Sequence, residues 1–201
     1  DHLDYHKNFK NYLNSKLYLF KKLLTNKSTV ITDLDIPEFK KIKKISIKKK
    51  FKIKAISYKK SELSIIYHKY LDEKQLLKFK YKKNVYTTEI NLIGKIQIKN
   101  ILMAMLAAEK SNISFKNINR VISKLKPVNG RLEKIGKIKN NSCVILDFAH
   151  TPDALRTCLQ NLNDQFRNRE ISIVFGCGGE RDKSKRSEMG KIANQYCTKV
   201  Y

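Results

Sequence analysis

The chain has 201 residues, 41% of them hydrophobic and 9% aromatic, which is enough to bury a sizeable core and excludes a globally disordered polypeptide. No run of about 18 apolar residues occurs, so no segment is expected to span a membrane as a helix. Lys and Arg number 43 against 18 Asp and Glu, and the formal charge of +25 makes nucleic acid or an anionic surface the first partner to weigh.

The chain opens at Asp1 with no basic and apolar leader after it, so no secretory signal is expected. Residues 8–24 read as an amphipathic helix, with Phe9, Leu13, Leu17, Phe20 and Leu24 at helical spacing. Lys16 lies on its apolar side, one turn from Tyr12 and from Phe20. Its amine either snorkels to water or is partly desolvated, and only a neutral amine reacts, for instance with carbon dioxide to give a metal-binding carbamate. Residues 28–34 read as a buried strand. From 41 to 92, alternating Lys/Ile and Lys/Phe stretches predict antiparallel strands with one wet face. The clearest part sets Ile45 and Ile47 against Ser46 and Lys48, then Phe51 and Ile53 against Lys52 and Lys54. Gly94 precedes a helix over about 98–110, and a second helix starts at Ser114 and buries Ile118, Val121, Ile122 and Leu125.

Pro127 and Gly130 break the pattern and set a domain boundary, giving segments 1–126 and 127–201. The short apolar run Cys143 to Leu146 ends in Asp147 and leads to a helix with Thr151 as N-cap and Pro152 at its first position. Leu155, Cys158, Leu159, Leu162 and Phe166 form its buried face. A second apolar run, Ile171 to Phe175, leads through Gly176-Cys177-Gly178-Gly179 to a polar helix near 185–196, and Thr198 to Tyr201 begins another strand. Both ends read as cuts through a larger protein. The alternation of strand and helix predicts a parallel sheet, with ligands at the carboxyl ends of the strands. Asp147, His150 and the 176–183 loop lie there.

The glycine loop is not a Gly-x4-Gly-Lys-Ser loop, because Asp182 stands where glycine is required. Arg181 or Lys183 can pair with a carboxylate or phosphate there, and a plain strand-to-helix turn is the other reading. His150 can touch a nucleotide or serve only its own loop. Asp1-His2-Leu3-Asp4-Tyr5-His6 offers carboxylates and imidazoles to a divalent cation, or forms a solvated cap ahead of the helix. Cys143, Cys158, Cys177 and Cys197 form no C-x-x-C pair, as expected of reduced thiols in a cytoplasmic protein.

Taken together, Asp1 to His6, Lys16, Gly94 to Asn100, Gly130-Arg131-Leu132-Glu133, Asp147 to Leu155 and Gly176 to Arg186 closely resemble the Mur ligases. His150-Thr151-Pro152-Asp153 and Gly176-Cys177-Gly178-Gly179-Glu180-Arg181-Asp182 resemble the branch that adds a diamino acid to UDP-N-acetylmuramoyl-L-alanyl-D-glutamate. The resemblance implies an α/β fold. Residues 1–126 would be the second half of a central ATPase domain, and residues from 127 the first part of a Rossmann-like C-terminal domain. It implies ATP and Mg2+ as cofactors, His2 as a magnesium ligand and Lys16 as a carbamylated lysine. Asn100 would lie on the adenine side, Arg131, Asp147 and His150 would meet ATP, and Arg181 would hold the incoming diamino acid, meso-diaminopimelate rather than lysine. A cytoplasmic monomer working on small molecules in peptidoglycan precursor synthesis is implied, with no specific nucleic acid and no membrane as partner.

Three departures bear on this. Gln97 stands where relatives carry Asn, Glu180 where Asp is common, and Phe148 where Tyr is common, with loss of a hydroxyl. No Gly-x4-Gly-Lys-[Ser/Thr] occurs in the 201 residues, and the UDP-sugar domain is missing, so the chain by itself is expected to be inactive. A phosphate loop of the Gly-Thr-Asn-Gly-Lys-Thr kind is expected within about 100 residues upstream of Asp1. Two other readings remain: a sibling amide ligase of the cyanophycin or folylpolyglutamate kind, and a basic domain binding nucleic acid or an anionic surface. Against the last, only seven of the basic residues are Arg, and the rest are Lys spread along a chain rich in Ile and Asn. A coding bias toward A and T produces that composition without a selected ligand, and Arg is the residue suited to bidentate phosphate contacts.

Overall fold

In a computed structural model, residues 3–178, 183 and 185–201 are described. They form two compact units. The first comprises residues up to 69 with 76–90 and 98–123, and the second 70–75, 91–97 and 124–201.

The first unit opens with a helical turn, α1 (Leu3–His6), and helix α2 (Phe9–Tyr18), which ends in a π-helical turn at Leu19–Leu23. The Asn8 side chain caps α2 by accepting the Asn11 N–H at 2.9 Å. Leu13 and Leu17 are buried; Phe9, expected on the buried face, is exposed because its turn lies ahead of the packed part of the helix. Strand β1 (Thr29–Asp33) follows, then α3 (Phe39–Lys48) and β2 (Lys52–Ser57).

Helix α3 corrects the strand reading of residues 41–48. Ser46 is 1% exposed and Ile47 68% exposed, the reverse of the predicted alternation. The stripe that governs the segment is Phe39, Ile42, Ile45 and Ser46, spaced by three and four, and the intervening lysines are good helix formers. Ile42 packs with Leu13, Leu17, Val30 and Phe51 to make one core of the unit.

β1 and β2 are parallel, from Thr29 opposite Lys52 to Asp33 opposite Ile56, and β2 continues parallel to β3 (Leu63–Leu71) at Ile56 and Leu63. β4 (Lys74–Tyr81) and β5 (Asn84–Ile90) complete the order β1-β2-β3-β4-β5. The β3–β4 and β4–β5 turns are two residues each, with Asp72 and Lys82 at positive φ, so these strands run antiparallel as expected. Helix α4 (Lys95–Lys110) buries Ile98, Ile101, Leu102, Met105 and Leu106. Helix α5 (Phe115–Val121) is capped by Ser114 and buries Ile118, and a short 3-10 turn buries Ile122. Val121 and Leu125 are exposed, contrary to expectation, because α5 lasts only two turns before the tighter winding rotates its face.

In the second unit, β6 (Glu133–Lys137) and β7 (Cys143–Leu146) pair antiparallel around an irregularity at Lys134/Gly136. β7 was expected in a parallel sheet with the later strands. Among the described residues it pairs with β6, a strand that its mixed polar sequence conceals. Helix α6 (Pro152–Gln165) is capped by Thr151, whose Oγ1 accepts the Ala154 N–H. Strand β8 (Ser172–Ile173) crosses over through α7 (Lys185–Tyr196) to β9 (Lys199–Val200), and β8 and β9 are parallel. Leu155, Leu159, Met189 and Ile192 form the core between α6 and α7. A second core joins Ile93, Leu132 and Phe166. Gly94 beside it has φ +88°, and a Cβ there would stand 2.6 Å from Leu132 Cδ1, so both backbone and space demand glycine.

Candidate functional site

Candidate residues lie in both units. At the carboxyl ends of β1 and β2, Asp33 Oδ1 accepts the Asp35 N–H at 2.8 Å, and Asp33 Oδ2 pairs with Lys99 Nζ at 2.5 Å. The Asp35 carboxylate accepts Ser57 Oγ–H at 2.7 Å and the Tyr58 N–H at 3.0 Å. Burial would raise the Asp35 pKa, but these two hydrogen bonds, with Lys99 and Lys59 nearby, hold it below the usual carboxylate value. Asn100 follows Lys99 on α4 and is exposed. None of Asp33, Asp35 and Lys99 was singled out from sequence.

Lys16 lies one turn along α2 from Tyr12, its Nζ 5.5 Å from the ring centroid, and His6 packs edge-on against the same ring at 5.4 Å. Lys16 is exposed, beside the buried stripe of Leu13 and Leu17 rather than within it. His2, the expected magnesium ligand, lies outside the described residues, as does Arg181. No group of three His, Cys, Asp or Glu side chains able to hold a metal forms among the described residues.

In the second unit the structure brings Arg131, Asp147 and His150 together. Asp147 braces both loops: Oδ2 accepts the Leu132 N–H and Oδ1 the Ala149 N–H, each at 2.9 Å. The Phe148 N–H donates to Gly130 O at 2.8 Å, and the Gly130 N–H donates to Glu133 Oε2 at 2.7 Å. Phe148, 64% exposed, then stands between the two polar residues. The Arg131 guanidinium lies 5.4 Å from its ring centroid, and the His150 ring meets it edge-on at 5.3 Å. His150 Nδ1–H donates to Phe148 O at 3.0 Å, which in the neutral ring leaves Nε2 as the acceptor. The cation, aromatic face and imidazole form an exposed row suited to an anionic ligand with a planar part. Phe148 thus supplies a platform in place of a hydroxyl. Gln97 Nε2 donates to Arg131 O at 3.3 Å, holding the same loop. Among the described residues, a Cβ on Gly176 or Gly178 would meet nothing within 4 Å.

Two family profiles match the chain: the Mur ligase middle domain over residues 1–108, and the Mur ligase glutamate ligase domain over 130–201. A relative from Rickettsia typhi, named UDP-N-acetylmuramoyl-L-alanyl-D-glutamate--2,6-diaminopimelate ligase, is 35% identical over all 201 residues, which cover 40% of that protein. A solved structure of the same name aligns over the whole chain and 41% of its own length, with 26% identity and TM-score 0.70. A second ligase structure, from Thermotoga maritima in complex with ADP, shares the fold over the whole chain and 45% of its own length, at TM-score 0.73 and 18% identity. The chain spans about two fifths of the length of the curated relatives it matches.

Proposed function

The chain belongs to the Mur ligase family, and from that premise we propose that it is the nucleotide-handling part of a ligase joining meso-diaminopimelate to UDP-N-acetylmuramoyl-L-alanyl-D-glutamate at the expense of ATP. The observation that carries this reading is whole-chain similarity to ligases of that name, at 35% identity in the Rickettsia typhi protein. The domain limits proposed are 1–126 for the ATPase segment and 127–201 for the C-terminal one. A cytoplasmic, monomeric enzyme of peptidoglycan precursor synthesis fits, and the four free, half-buried cysteines suit a reducing compartment.

The reaction runs in two steps. The substrate carboxylate takes the ATP γ-phosphoryl group to give an acyl phosphate and ADP; the amine of the diamino acid then attacks the acyl carbon, and phosphate leaves. Both steps crowd negative charge, and most of the catalysis is neutralisation and positioning. Arg131, held over Phe148, would pair with phosphate oxygens, and His150 would hydrogen-bond the nucleotide through Nε2. Asp147 would keep both loops in register. Asn100 would face adenine, and Arg181 would take a carboxylate of the diamino acid. Magnesium, bound in part through His2, would offset phosphate charge. The Lys16 amine would add to carbon dioxide with loss of a proton, turning a cation that repels metal into an anion that orders it.

The test uses the protein extended to the full length of its relatives. Lys16→Ala is expected to lose most diaminopimelate-dependent phosphate release, and short carboxylates such as formate to restore part of it. Full activity in Lys16→Ala would remove that role. Faster turnover with lysine than with diaminopimelate would overturn the amino-acid assignment.

A further inference from the structure

We propose that the Asp33–Lys99 ion pair is a positioning device for the adenine side of the nucleotide site, fixing the rotation and height of α4 so that Asn100 meets the base. This rests on the proposed role of Asn100 in the ATP site.

Asp33 is 4% exposed. A carboxylate so deeply placed is costly unless its oxygens are paired. Both are: one takes the Asp35 N–H, the other the Lys99 ammonium. Lys99 Nζ also lies 5.8 Å from the Tyr58 ring centroid, and the Tyr58 N–H is held by Asp35. One lysine on α4 therefore ties the helix to the carboxyl ends of β1 and β2 at once.

Its place along the helix is informative. Residues 91–97 group with the second unit and 98–123 with the first, so Lys99 is a polar anchor near the point where α4 enters the first unit. Stability alone does not call for it. Ile98, Ile101, Leu102, Met105 and Leu106 already bury one face of the helix, and well-packed apolar side chains commonly replace a buried ion pair at no cost. A short charged hydrogen bond adds direction, which a greasy contact lacks. Asn100 is the next residue, about 100° further round the helix, so its amide goes where that bond sends it.

The experiment measures KM for ATP, KM for both other substrates, kcat and melting temperature in the full-length protein. The variants are Lys99→Met, Lys99→Arg, the uncharged pair Asp33→Asn/Lys99→Met, Asn100→Ala, and Asn100→Ala combined with the uncharged pair. Asp33→Asn/Lys99→Met avoids stranding a buried charge, so it keeps the test alive if Lys99→Met does not fold. We expect that variant to raise KM for ATP roughly ten-fold, leaving the other two KM values within about two-fold, and Lys99→Arg to restore part of the loss. Adding Asn100→Ala to it should cost little more, because both changes remove the same contact. A lowered melting temperature with unchanged KM for ATP, while Asn100→Ala raises that KM, overturns the positioning role and leaves the ATP-site reading intact. An unchanged KM for ATP in Asn100→Ala overturns the adenine-side reading and the positioning role with it.

Discussion

Two lysines and a thiol converge on the carboxylate of Glu73, in the β3–β4 turn. Lys134 pairs with one oxygen; Lys137 reaches the other at 2.9 Å, and Cys143 Sγ–H donates to it at 3.2 Å. The Lys134 and Lys137 hydrogen bonds hold the carboxyl far below its ordinary value of 4.5, at about 2, against the opposing effect of burial. A carboxylate depressed in the folded state contributes stability that is present above the unfolded pKa and lost as pH falls through the folded one. Acid should therefore weaken the fold between pH 4.5 and 2 partly through this group. Glu73→Gln is expected to cost roughly 1–2 kcal/mol at neutral pH and to flatten the acid limb of a melting-temperature profile. An acid limb of unchanged slope would count against this. Residue-scale legibility divides on the same ground. Asp147 and His150 stood out because a strand end and a capped helix flank them within a few positions. Lys134 is 61 positions from Glu73 and Lys99 is 66 from Asp33, and pairings that distant leave no period or spacing in the sequence.

At the level of elements, periodic signals were readable where one face is buried and ambiguous where lysines alternate with isoleucines. The α6 stripe and its Thr151 cap follow from spacing and a capping residue whose effect is local, and the polar helix expected near 185–196 is α7. The segment 41–48 satisfies a period of two and a period near 3.6 together, and only packing against Leu13, Leu17 and Val30 decides between them. β6 and its pairing with β7 escaped because no apolar alternation marks Glu133 to Lys137. The resolved helix leaves one flaw. Ser46 is buried in α3, and its Oγ finds no hydrogen-bond partner among the described residues. Ser46→Ala removes an unsatisfied hydroxyl and improves helix propensity, so it should stabilise the protein by about 1 kcal/mol, read as a higher urea midpoint at constant m. A lower midpoint would mean that the hydroxyl has a partner after all.

Across the whole molecule, the charge of +25 acts as a diffuse field. Such a field attracts any polyanion at low ionic strength and is screened within about 8 Å at physiological salt. The protein should retain DNA of any sequence at about 20 mM salt and release it by about 200 mM, measured by fluorescence anisotropy. Retention of one sequence over another at the higher salt would restore the nucleic-acid reading. The same scale bears on how the chain is divided: a sequence marks candidate breaks, such as Pro127 and Gly130, but not excursions. Residues 70–75 and 91–97 belong to the second unit although they lie well before that break. They bring it Glu73 for Lys134 and Lys137, and Ile93 for the core of Leu132 and Phe166. A gene fragment cloned from codon 124 onward would thus encode a body with holes in it, stripped of a hydrophobic plug and of a counterion. Anyone dissecting this protein for separate expression would do better to graft the two outlying stretches back than to trim at a single cut.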